Sequence, residues 1–125
     1  MLFRSATKVL AKLIDELQTN GHKPVGVGVV GAPDRDLARI GNPHIRAHAA
    51  EGVLFRRVLV VGAESNGLKY RAFSDRNFDK DAAASLGANY AKIRRSLDSL
   101  RQSVSPPWRT DEKQAAMAAW MVLHK

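Results

Sequence analysis

Six residues near the start of the chain, Val25-Gly26-Val27-Gly28-Val29-Val30, constrain the fold more than any other segment. They are rich in a β-branched residue, carry no charge, and lie between Pro24 and Gly31. They read as a strand too apolar to be fully exposed. Gly26 and Gly28 fall on the same face of such a strand and leave it nearly bare, and gaps of this kind mark where a helix or ligand approaches a sheet closely. Gly26, Gly28 and Gly31 also match the spacing of a dinucleotide-binding fingerprint. That fingerprint must follow a strand and open a helix, whereas here the glycines form the strand itself and lead into Pro33, so the dinucleotide reading is rejected.

Helical periodicity surrounds the strand. Ala6, Val9, Leu10, Leu13, Ile14 and Leu17 recur at spacings of three and four, which predicts an amphipathic helix over residues 5–20 ended by Asn20-Gly21. Residues 31–36 read as a loop, with a short helical turn over 37–40 before Gly41. Asn42 followed by Pro43 supplies an N-cap and a pre-set first helical residue, so a long helix is expected over 43–65, closed by Asn66-Gly67. Residues 68–74 read as a second strand, with Leu68, Tyr70 and Ala72 on one side and Lys69, Arg71 and Phe73 on the other. A third helix is expected to about Gln102, capped by Asp79 or Asp81. Its seam of Ala83, Leu86, Tyr90, Ile93, Leu97 and Leu100 is long for packing within one small sheet. After Pro106-Pro107, Thr110 is read as the cap of a last helix, apolar almost all round and therefore expected to be buried on more than one side.

The order helix, strand, helix, strand, helix, helix predicts one α/β domain over residues 1–125, a small sheet packed by four helices, the last largely buried. Two strands are few. A third strand hidden among the loops, or a partner chain, is expected to complete the sheet, and a homodimer is expected on that ground and from the helical seam.

Composition narrows the chemistry. With 125 residues, 45% of them hydrophobic and 26% charged, the chain has the make-up of a folded protein. It has no cysteine, which excludes disulfides, thiolate zinc sites and cysteine nucleophiles. No window reaches the length of a membrane span and the first residues lack a signal-peptide core, so no membrane association and a cytoplasmic location are expected. Lys and Arg number 20 against 12 Asp and Glu, a net charge of +8. By segment the surplus is +2 over residues 1–33, +3 over 34–77, +3 over 78–110 and 0 over 111–125. It is spread over folded elements rather than gathered in a tail, and it serves either solubility or a polyanionic partner.

Three readings of function follow. The leading one is sequence-independent binding of DNA or RNA through phosphate contacts by Arg56, Arg57, Lys69, Arg71, Lys92, Arg94, Arg95 and Arg101. Arg outnumbers Lys by 12 to 8, and guanidinium suits bidentate phosphate contact. With aromatics at 6%, base stacking of the single-strand-binding kind is not expected.

The second reading is a metal-dependent hydrolase. At 3.6 residues per turn, His44, His48 and Glu51 share a helix face with Leu54, Phe55 and Val58. Glu51 then falls inside an apolar stripe, where a carboxylate must be paired, neutral, metal-bound or at the rim of a cleft. The spacing His-x3-His-x2-Glu suits one divalent ion, Zn, Mn or Mg, with Glu51 and Asp111 as catalytic groups; the plain alternative pairs Glu51 with a basic side chain. Arg109, Asp111 and Lys113 gather at the last helix N-terminus, a place for an anion or metal or simply a capped helix start. Asp34, Asp36, Asp75 and Arg76 follow the two strand ends, where ligands settle if the strands are parallel.

A carboxylate on a helix after the early strands, then a strand, then a final Ala-rich helix opening with an Asp, resembles the layout of RuvC-type resolvases in the ribonuclease H-like group. The resemblance covers Glu51 to Leu123, rests on Glu51 and Asp111, and implies two-metal cleavage of phosphodiesters. That group also carries an essential Asp on its first strand, where this chain has only Val and Gly, so no membership is assigned. The third reading is a homo-oligomeric assembly protein without catalysis.

Overall fold

A computed structural model describes residues 2–31 and 36–124. Asp34 and most of the loop expected over 31–36 lie outside the described residues. The chain runs through α1 (Leu2–Thr19), β1 (Gly26–Gly31), α2 (Pro43–Ser65), β2 (Lys69–Ser74), α3 (Phe78–Leu86), α4 (Tyr90–Ser99) and α5 (Thr110–His124), with short 3-10 turns at Leu37–Arg39, Gly87–Asn89 and Leu100–Gln102. It is an α/β fold, with a small sheet packed by helices.

The sheet has two strands, β1 and β2, paired in parallel from Gly26 opposite Lys69 to Gly31 opposite Ser74. Parallel neighbours need a crossover, and α2 supplies it. The start of α2 was written locally: the Asn42 side chain accepts from the backbone N–H groups of His44 and Ile45 at 2.9 and 3.1 Å, and Pro43 follows it.

The bare face of β1 is filled by α5. A β-carbon built on Gly28 would lie 2.9 Å from the Ala118 carbonyl carbon, and one on Gly26 would lie 2.7 Å from Cγ1 of Val122. The missing side chains let helix backbone and strand backbone meet. Arg71 reinforces this contact, donating from Nη1 to the Met121 carbonyl at 2.8 Å. The main core lies on this side, where Phe73, Phe78, Ala82, Leu86, Leu97, Met117, Ala118 and Met121 are buried together. Trp108 half-inserts beside them and donates its indole N–H to the Leu97 carbonyl at 2.8 Å. The outer edge of α5 stays open, with Trp120 and Leu123 exposed.

On the opposite side of the sheet Val29 is buried beneath α2, whose Ala49, Val58 and Ala63 are also buried. Helix α1 packs on α2 and on no other element among the described residues. Gly62 faces Ala6 and Thr7 of α1, where a β-carbon would make ordinary contacts at 3.7–3.8 Å, and Asn66 ties the two helices by donating to the Thr7 carbonyl.

Three local expectations are corrected. The third helix is not continuous: Gly87, with φ of 57°, and the 3-10 turn after it split the seam into α3 and α4. Leu86 and Leu97 remain buried while Ala83 and Leu100 face out. Its start is at Phe78, so Asp79 and Asp81 lie in the first turn and neither is the cap. Thr110 is likewise the first helical residue of α5, and the N–H of Arg109 before it is satisfied by Glu112 at 3.2 Å.

Candidate functional site

The helix face proposed for a metal is exposed. His44 and His48 meet edge to face with ring centroids 4.9 Å apart, and His48 Nδ1 lies 4.0 Å from a Glu51 carboxylate oxygen. The side chains of His48 and Glu51 are 69% and 68% exposed. Glu51 therefore does not face the core, a correction that removes the burial which singled it out. The cause is that α2 has two apolar faces. The one against the sheet carries Val53 and Val60, which border Tyr70 and Ala72 of β2. The one shared with Glu51 is left open at Leu54 and Phe55, 43% and 59% exposed. Asp111 is exposed in the first turn of α5. Among the described residues no three His, Asp or Glu side chains converge to hold a metal ion.

The basic residues fall into two groups. Arg56 and Arg57 on α2 border β2 from one side, forming with Val53, Val60, Tyr70 and Ala72 a groove of about 440 Å³. Lys69 and Arg71 alternate with Tyr70 and so point to the opposite face of β2, where they line a second groove of about 680 Å³ with Val122 and Leu123. Four of the eight candidates thus flank one strand. Arg71 is largely committed to structure, because besides its bond to Met121 its guanidinium lies 5.0 Å from the Phe73 ring centroid.

Lys92, Arg94 and Arg95 lie on α4 and Arg101 on the turn after it. Lys92 borders Trp120, and Arg101 borders Pro106, Pro107 and Trp108. Arg94 is engaged: it donates to the Tyr90 hydroxyl at 2.9 Å, and that hydroxyl lies 3.4 Å from Asp79. The hydrogen bond it donates to the Tyr90 oxygen raises the already high pKa of Arg94, with Asp79 acting in the same direction. Arg57, Lys69, Lys92, Arg95 and Arg101 are exposed and enter no ion pair among the described residues.

Sequence reasoning passed over Tyr70. It is 42% exposed at the centre of the β2 cations, and its only sequence signal was its place between Lys69 and Arg71. A third depression, about 230 Å³, lies between α3, α4 and α5 above Phe78, Leu97 and Met117. Its rim pairs Lys113 with Asp98 at 3.0 Å and sets Arg94 near Asp79, so it has no net charge to select a ligand.

No protein-family model matches this chain, and the searches of curated proteins and of solved structures likewise return no match.

Proposed function

We propose that the protein binds nucleic acid through phosphate contacts without reading sequence. The observation that carries this reading is the set of exposed cations with no ion partner among the described residues, Arg57, Lys69, Lys92, Arg95 and Arg101, on a chain of net charge +8. Unpaired surface cations keep their full attraction for a polyanion, and releasing the counterions of that polyanion drives association. The groove beside β2 is the centre of the proposed surface, since it sets Arg56 and Arg57 beside the exposed ring of Tyr70. There a backbone phosphate meets the exposed Arg57 guanidinium.

The test is the salt dependence of binding to short duplex and single-stranded DNA and RNA. With about six phosphates neutralised, log affinity falls with log salt at a slope of about −5 between about 50 and 200 mM. Replacing Arg57 and Arg95 together by Ala flattens that slope by about two. A chain without affinity for any of these ligands at the lowest salt would show that the charge serves solubility alone.

A further inference from the structure

The backbone of β2 turns half of its hydrogen-bonding groups to an edge that no strand among the described residues occupies. Asp75 N–H donates to the Gly31 carbonyl at 3.0 Å, one step beyond the pairing of Gly31 with Ser74. This fixes the phase of the parallel ladder: Arg71, Phe73 and Asp75 present their peptide groups to β1, while Tyr70, Ala72 and Ser74 present theirs outward. The side chains of Tyr70 and Ala72 on this edge are exposed, and a groove lies on each face of the strand. An added strand sends alternate side chains to the two faces, so both grooves would receive them. Helices α2 and α5 cover the two faces of the sheet, and the edge of β2 is what they leave open.

We infer that the missing neighbour is β2 of a second copy of this chain, paired antiparallel about Ala72 to give the strand order β1-β2-β2-β1. The register follows from hydrogen bonding and charge. Outward groups must meet outward groups, so Tyr70, Ala72 and Ser74 of one copy can face only those positions of the other, and shifts of a single residue are excluded. Centring on Ala72 places Tyr70 opposite Ser74 and Ala72 opposite its own copy, using all the outward groups. The intervening close pairs are then Lys69 with Asp75 and Arg71 with Phe73. Centring on Arg71 would set that guanidinium against itself, and centring on Tyr70 would set it against Lys69, both repulsive. The strand is therefore complementary to itself in one full-length register. The dyad also carries the two Arg56, Arg57 and Tyr70 sets to one face of a continuous sheet; the dimer itself does not depend on nucleic-acid binding.

Sedimentation equilibrium of the full chain at micromolar concentration tests the inference, with the mass of two chains expected. Lys69→Asp and Asp75→Lys should each raise the dissociation constant about tenfold, and the double variant should restore it. Within one chain these residues stand about 20 Å apart along the strand and cannot pair, so rescue reports a contact between copies. Ala72→Pro removes an outward N–H at an edge where proline is tolerated, and should give single chains with unchanged circular dichroism. A wild-type mass of one chain, or a dimer indifferent to Ala72→Pro and to both single charge reversals, overturns it.

Discussion

At Gly28 the volume of a β-carbon is already occupied by the backbone of Ala118. Backbone cannot rotate away as a side-chain tip can, so Gly28→Ala must push α5 off the strand. It should cost about 1–3 kcal/mol, read as a lowered melting temperature with the circular dichroism shape retained. Arginines at two positions separate structural from binding roles. Arg71→Ala strips the Met121 carbonyl of its donor and Phe73 of its cover. A loss of about 1–3 kcal/mol in stability is expected, with little change in the salt slope of binding. Arg57→Ala should do the reverse, leaving stability within about 0.5 kcal/mol and flattening the slope by about one. Denaturant titration alongside binding distinguishes the two. Alternation along β2 placed Arg71 with Phe73 from sequence, but nothing local said that a helix carbonyl fifty residues on would lie over that face.

Among the elements, those with local signals were legible. Asn42-Pro43 marks the start of α2 because capping is a contact between neighbours. Asn42→Ala should cost about 1 kcal/mol in chemical unfolding and leave nucleic-acid binding unchanged. The two glycines of β1 announced a close approach by some element, though not that α5 would make it. Where long-range packing decided the outcome, periodicity misled. The residues of the third seam alternate by three and four across Gly87, and the spacing does not register that this glycine adopts a positive φ. On α2 two apolar faces compete, and the pattern alone could not tell that the face bearing Val53 and Val60 takes the sheet. Glu51 was misplaced as a consequence. Being exposed, it should tolerate Glu51→Gln within about 0.5 kcal/mol, and a large gain in stability would show instead that its charge is buried. The candidate cations were legible together with the elements that carry them, whereas the meeting of Arg56 and Arg57 with Tyr70 and Ala72 of β2 is a property of the tertiary structure.

Across the whole molecule, packing is uneven. α5, the sheet, α3 and α4 share a core of buried aromatic, leucine and methionine side chains. α1 touches only α2 among the described elements, none of its described side chains is buried, and Val9 and Leu13 are 70% and 48% exposed. Such an arrangement divides the molecule by lifetime as well as by space. A helix held along a single neighbour can open without disturbing the rest, so its amide protons should exchange with solvent through a local excursion of small free energy. Those of α5 near Ala118 and Met121 should wait for global unfolding. Native-state hydrogen exchange with rising denaturant should show two tiers, α1 insensitive to denaturant at first and α5 falling steeply. Equal protection in both helices would mean that α1 opens only with the core. If the tiers are found, the face of α2 beneath α1 is uncovered in rare, brief events while the parallel pair of strands and its covering helix stay closed.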